Sequence, residues 1–234
     1  CPINYNKEEN YYTFSSTGDF DGADLVIPAY YNGIPIKRFT TGLGELENIK
    51  SAGIKNVMAL RGDIPKDLEN ADRSNWHYKY AIDLVRELKQ DDYGFCIGGA
   101  YYPEIHPESA NQKDDIKYLK EKVDAGCDFL TTQMFFDNNV LYNYLYKIRE
   151  AGITVPVMPG IMPITNAKQV ERAIKLSGSF IPQRFKALVD KFGENPSAMK
   201  QAGIIYATDQ IIDLFANGIK NVHVYSMNKP DVAK

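Results

Sequence analysis

Histidine and cysteine are scarce, at three of each in 234 residues. His77, His106 and His223 stand far apart with no HxxxH spacing, and Cys1, Cys96 and Cys127 form no CxxC pair. No metal site is therefore readable from spacing. Cys96 and Cys127 lie in apolar stretches, as buried thiols of a reducing compartment do, and a cytoplasmic location is expected. Charge of one sign is missing too. The 27 Lys and Arg are interspersed with 30 Asp and Glu, for a net charge of −3. Without a basic stripe, a nucleic-acid partner is not expected. No apolar run is long enough to span a bilayer and no signal peptide stands at the start, so no membrane association is expected. There is no P-loop. "GLGELE" lacks the third glycine and the preceding strand of a dinucleotide turn, and no Ser or Cys sits in a nucleophile elbow.

What is present is a repeated alternation. Hydrophobic residues make up 44% of the chain, enough for a sizeable core. From Ile54 onward, short apolar runs alternate with longer segments of period 3.6. The runs are "NVMALRGD", "GFCIGGAYYPE", "FLTTQMFFD", "VPVMPGIMPI" and "NVHVYSMN". They lack strict alternation, as parallel strands covered on both faces do. The helical segments carry apolar faces at Ala81, Leu84, Val85 and Leu88; at Ile116, Leu119 and Val123; and at Val140, Leu141, Tyr144, Leu145 and Ile148. Gly126, Gly152 and Gly218 each fall just past a periodic run, where a helix stops. Five strand–helix units predict an α/β fold. The form expected is a partial TIM-type (βα) barrel of five parallel strands, at roughly 30 residues per unit.

Residues 1–39 break this pattern. The stretch is rich in Tyr, Asn and Gly, and "YYTFSS" and "DLVIPAYYNGIPIKRF" predict short strands joined by turns at Gly18-Asp19 and Asn32-Gly33. The expected organisation is a small β-rich, hairpin-like extension over 1–39 and the barrel portion over 40–234. Hairpin strands do not fill the place of parallel barrel strands. An open sheet edge is therefore expected, and it favours association into a homo-oligomer.

In parallel α/β folds ligands bind at the carboxyl ends of the strands. The polar residues there are Arg61 and Asp63; Tyr102, Glu104 and His106; Gln133; Thr165; and Tyr225, Asn228 and Lys229. Bland readings stand beside the functional ones. Asp63 also suits a turn before Pro65, and His106 between Pro103 and Pro107 also suits a hydrogen-bonded surface loop. Glu108 suits a helix start, and Asn166 through Gln169 fits a capping box. Gln133, at the end of an apolar strand, must find partners either in a site or in the core.

Together "NVMALRGDIP", "AYYPEIHPES", "DIKYLKEKVDAGCDFLTTQMFFD", "PVMPGIMPITN" and "HVYSMNK" resemble, in order and spacing, the methylenetetrahydrofolate reductase family. The resemblance runs from about Gly44 to the C-terminus. It implies an FAD-containing barrel that reduces 5,10-methylenetetrahydrofolate to 5-methyltetrahydrofolate with NADH or NADPH. By resemblance, Arg61, Gly62 and Asp63 contact the flavin, Tyr80 and Ala81 lie along it, and Tyr102 with His106, Pro107, Glu108 and Ser109 holds it further out. Asp115 and Lys122 face its ribose and phosphate end. Asp63 is the implied catalytic carboxylate, favouring the cationic iminium form of the folate. Gln133 is the implied pterin-binding amide, and Gln169, Tyr225 and Lys229 match folate-binding positions. Lys229 stands where the family often has Arg. The family's proton-donor Glu, on a Phe-Glu motif of an amino-terminal strand, has no match here, nor do that region's Thr and His contacts to the flavin. "DLVIPAYYNGIPI" instead resembles the opening unit of bacterial surface leucine-rich-repeat proteins. The expectation is a reductase impaired in this chain. The alternative is a non-catalytic binding or interaction module derived from the barrel. A pterin-binding methyltransferase is a weaker third reading, since it would require a corrinoid or metal partner.

Overall fold

The computed structural model describes residues 3–6, 11–14, 24–28, 30–31, 34–35, 53–61, 78–90, 94–227 and 232. Among them, strands β1 (Ile3–Asn6), β2 (Tyr11–Phe14), β3 (Asp24–Pro28), β4 (Tyr30–Tyr31) and β5 (Ile34–Pro35) precede the alternating region. Next come β6 (Asn56–Leu60), α1 (Ala81–Gln90), β7 (Cys96–Tyr101), α2 (Gln112–Asp124), β8 (Phe129–Thr132) and α3 (Asn138–Glu150). The chain continues through β9 (Val157–Met158), β10 (Gly160–Ile161), α4 (Ala167–Ser177), α5 (Gln183–Phe192), α6 (Pro196–Ala216) and β11 (His223–Val224). The fold is α/β, with parallel strands and interleaved helices, as the alternation predicts. It divides into two compact units: Cys1–Ala100 with Glu121–Phe129, and Tyr101–Lys120 with Leu130–Lys234.

In the first unit β6 pairs in parallel with β7, Asn56 opposite Cys96 and Val57 opposite Ile97. The core beneath them holds Val57, Ala59, Leu84, Val85, Leu88, Ile97 and Cys127. Leu84, Val85 and Leu88 are the predicted apolar face of α1, and their burial fixes the helix on the sheet. Asp128 ties these pieces together. Its carboxylate accepts the Ile97 amide at 2.7 Å and the Lys89 ammonium at 3.1 Å, while its own amide donates to the Ile97 carbonyl. β4 and β5 form an antiparallel pair, as the hairpin reading expects. β2 also pairs antiparallel, but with β1 on its N-terminal side, a strand that the sequence reading did not single out. β3 departs from the hairpin expectation. It runs parallel to β6, with Leu25 opposite Val57 and Ile27 opposite Ala59. Its sequence, "DLVIP", carries an apolar run from Leu25 to Pro28 of the kind parallel strands use, and the nearby turn residues mask that signal.

In the second unit β8 pairs in parallel with β9, Leu130 opposite Val157. β10 pairs in parallel with β11, Gly160 opposite His223. The single strand expected over "VPVMPGIMPI" is thus two, divided at Pro159. Proline has no N–H for a ladder, so the strand breaks there, while the Pro159 carbonyl still accepts the His223 amide. The core of this unit gathers Phe136, Ile164, Phe185, Met199 and Tyr206, with Phe136 and Phe185 stacked at 5.0 Å. The glycines expected to stop helices, Gly126, Gly152 and Gly218, all carry positive φ. Among the described residues no helix is long and apolar enough to cross a membrane.

Candidate functional site

Asp63, Gly62 and Lys229 lie outside the described residues, as does Asn228. The remaining candidates fall within one unit or the other, and each set is built by its own strand ends.

In the first unit Arg61 directly follows β6, and its guanidinium carbon lies 5.9 Å from the centre of the Tyr80 ring. Tyr80 is largely exposed, so its second face is open to solvent. Its amide, with that of Lys79, donates to the Asp83 carboxylate at 3.0 Å, which fixes the turn into α1 just before Ala81. A cation held over an exposed aromatic ring is a platform for a second flat, electron-rich group. Lys122, in the last turn of α2, directs its ammonium to the Ala100 carbonyl near the end of β7.

In the second unit three strand ends come together. Tyr102 follows β7, Gln133 follows β8 and Tyr225 follows β11. The Gln133 amide N–H donates to the Tyr101 carbonyl at 2.7 Å. The Tyr225 hydroxyl donates to the Thr132 carbonyl at 2.8 Å. Burial pushes the Tyr225 phenol up to about 12, and the neighbouring Tyr102 phenol adds to the shift. Gly160 makes this crossing feasible. A Cβ there would stand 2.3 Å from the Thr132 carbonyl oxygen and 2.6 Å from the Tyr225 ring, so only glycine fits. The Gln133 side-chain oxygen accepts the Met134 amide at 2.9 Å, which fixes which end of the amide is which. The amide NH₂ is left as the donor end.

The loop after Tyr102 is held from within. His106 stands edge-on to Tyr102 at 4.7 Å. Its Nδ1 accepts the Glu108 amide at 3.1 Å, and its carbonyl accepts the Ser109 amide, so Pro107 and Glu108 sit on a tight, exposed turn. The Ser109 hydroxyl donates to one Asp115 oxygen at 2.9 Å, and the Tyr144 hydroxyl donates to the other at 2.6 Å. Asp115 is only 8% exposed, so in this state its carboxylate anchors the loop to α2 and α3. Burial first, and then Asp115, raises the Tyr144 phenol far above its ordinary range.

Gln169 serves as the third residue of a capping box on α4. Its side-chain oxygen accepts the Thr165 amide at 2.7 Å, and the Asn166 side chain accepts its amide at 3.1 Å. Sequence reasoning did not single out Thr132, whose carbonyl accepts from Tyr225 and whose hydroxyl accepts the Gly160 amide at 2.8 Å. A Thr at the last position of an apolar strand is its only signal. Among the described residues, no group of three or more His, Cys, Asp or Glu is placed to hold a metal.

Aromatic rings, an oriented amide and a hydrogen-bonded loop at the carboxyl ends of parallel strands mark an α/β protein whose strand tips are the candidate site. The sequence model of the family described as methylenetetrahydrofolate reductase matches residues 40–234, and the chain belongs to that family. Methylenetetrahydrofolate reductase 2 of Saccharomyces cerevisiae is 39% identical over 188 residues, covering 78% of this chain and 31% of that protein. Methylenetetrahydrofolate reductase (NADH) 1 of Zea mays is 37% identical over 195 residues, covering 78% and 32%. The 5,10-methylenetetrahydrofolate reductase of Pectobacterium carotovorum subsp. carotovorum is 33% identical over 182 residues, covering 78% and 59%. The chain thus spans about a third of the yeast and maize relatives.

Proposed function

We propose that this chain supplies the folate- and flavin-binding portion of an enzyme that reduces 5,10-methylenetetrahydrofolate to 5-methyltetrahydrofolate with NADH or NADPH. The observation that carries the reading is the oriented Gln133 amide beside Tyr102 and Tyr225 at the strand ends of a chain of this family. A pterin ring presents several donors and acceptors, and an amide whose oxygen is already bound offers it N–H donors in a fixed direction. Tyr225 and Lys229 are the further folate contacts proposed. Gln169 serves the substrate indirectly in the described state, by fixing the Thr165–Asn166 turn.

The donor set also fits FAD. A flavin nucleotide asks for aromatic faces, N–H donors and cations near its diphosphate. Within the first unit, Arg61, Tyr80 and Ala81 with Lys122 offer a cation-backed aromatic face and an ammonium. Taken by itself, the second unit's Tyr102 and His106–Ser109 loop offer an aromatic ring and a hydrogen-bonded turn. Bound FAD would supply hydride transfer between nicotinamide and folate. Gly62 and Asp63 complete the proposed flavin contacts. The proposed role of Asp63 is electrostatic: a carboxylate near the pterin favours the cationic iminium over the neutral substrate. Asp115 then acts through Ser109, holding the loop against the cofactor.

The test is direct. The purified chain is titrated with FAD while flavin absorbance and fluorescence are followed, and then with methyltetrahydrofolate. Saturable binding of both, weakened by Gln133→Ala for folate alone, supports the reading. Failure to bind either would remove it.

A further inference from the structure

Apart from the strand-tip cluster, the second unit holds a cavity of about 300 Å³. Glu104, Ile105, Gln112, Val140, Tyr144 and Phe180 line it. Its chemistry is one-sided. The apolar side chains of Ile105 and Phe180 stand exposed at 41% and 58%. Against them stands one carboxylate. Both Glu104 oxygens share a single donor, the Phe180 amide, at 2.9 and 3.0 Å. A carboxylate offers about four acceptor positions, so most of its capacity is left over. Among the described residues no ion pair is made with it; the Lys147 ammonium is bound to Gln112 of the cavity wall instead. Burial raises the Glu104 pKa, the Phe180 N–H partly counters that, and the charge of Asp137 raises it again. The Gln112 side-chain oxygen is already taken by the Lys147 ammonium, which fixes that amide in place.

We propose that this cavity is a binding site for a small organic cation, an ammonium or guanidinium group on an apolar body of about one ring. The cation completes Glu104 with a charge-assisted hydrogen bond, and the exposed aromatic side chain of Phe180 adds cation–π attraction. The apolar body covers Ile105 and Val140. The volume lies at the low end for small-molecule sites, which suits a one-ring body. The site shares the loop after β7 with His106 and Ser109, so its occupant is placed to bias that loop.

The experiment uses the full chain with methyl-labelled isoleucine, titrated with benzylamine and, in parallel, with its neutral counterpart benzyl alcohol. Benzylamine is expected to shift the Ile105 methyl saturably and to bind about tenfold more tightly than the alcohol, the worth of one charge-assisted contact. Glu104→Gln should erase that preference. Because Glu104 also holds the Phe180 backbone, a second variant guards against misfolding. Phe180→Ser alters an exposed side chain, keeps the amide donor, and should weaken benzylamine by a similar factor. Equal binding of amine and alcohol, no saturable shift at Ile105, or unchanged binding in Phe180→Ser would each overturn the proposal.

Discussion

Two glutamines at the ends of apolar segments show how single residues divide between scaffold and site. The Gln169 oxygen accepts the Thr165 amide, the Thr165 hydroxyl and the Asn166 amide, all at a helix start. Gln133 uses its oxygen on the adjacent Met134 amide and keeps its NH₂ end available. Gln169→Ala should therefore lower stability by about 1 kcal/mol, the ordinary worth of a cap. Gln133→Ala should change stability by less than about 0.5 kcal/mol and weaken folate. Urea denaturation and folate titration of both variants separate the two roles, and the reverse pattern would exchange them. Asp115 is the other residue whose role the structure sharpens. Tyr144→Phe removes one of its two side-chain partners while the carboxylate remains buried, so a loss of about 2 kcal/mol is expected by urea denaturation. The capping box was legible because Asn and Gln three apart before an apolar helix carry one meaning. The Asp115–Tyr144 bond was not, because it joins residues 29 apart and needs the loop geometry.

At the scale of elements, the helices that alternate with strands were readable from period and stop signals, whereas α5 was not read and α6 was read only in its second half, "YATDQIIDLFANG". α5 follows α4 directly, so strand–helix alternation has no place for it, although Phe185, Leu188, Val189 and Phe192 recur at helical spacing. α6 begins at Pro196, far ahead of the apolar run that marks its second half. Asn195 caps it, accepting the Ser197 and Ala198 amides, and Pro196 sits where its missing N–H costs nothing. Inside α6, Gly203 lets the helix lie against the backbone of Ile164. A Cβ there would stand 1.7 Å from the Ile164 carbonyl oxygen. Gly203→Ala would gain up to about 1 kcal/mol in helix propensity. The forced separation of α6 from Ile164 should cost more, about 1–3 kcal/mol. A lowered melting temperature is expected, and a raised one would show that the helix can shift freely.

At the scale of the whole molecule, buried acids that stay protonated set the alkaline limit. Burial pushes the Cys127 thiol from 9.0 up to about 11 and the Tyr225 phenol from 10.0 up to about 12. Tyr101 and Tyr144 are raised further, chiefly by burial. In the unfolded chain these groups lose their protons first, so above about pH 9 the unfolded state binds fewer protons than the folded one. The contribution of these groups should be level below that point and fall steadily from about pH 9 to about pH 12. Cys127→Ala should flatten the lower part of the fall, up to about pH 11. Melting temperatures across this range check it, and an unaltered slope in the variant would assign the fall to the tyrosines alone.

The last prediction concerns what these 234 residues do when expressed alone. The family match begins at residue 40, and the proton-donor Glu that the resemblance calls for has no counterpart in this sequence. Ahead of that point the described strands form two antiparallel pairs and the parallel strand β3. Glu8 and Glu9 lie in a polar stretch with no motif that would make either a positioned acid. Without a general acid, turnover should fall about 10²- to 10⁴-fold below that of an intact relative. FAD retention should be weak as well, since the Thr and His contacts of the same strands are unmatched. Replacing residues before Gly44 with the amino-terminal units of an intact relative should restore both yellow colour and turnover. If the chimera binds FAD but stays inactive, the defect lies in the 44–234 portion, and Asp63 is the first residue to re-examine. Turnover by the unmodified chain at an intact relative's rate would mean that another group in these residues donates the proton.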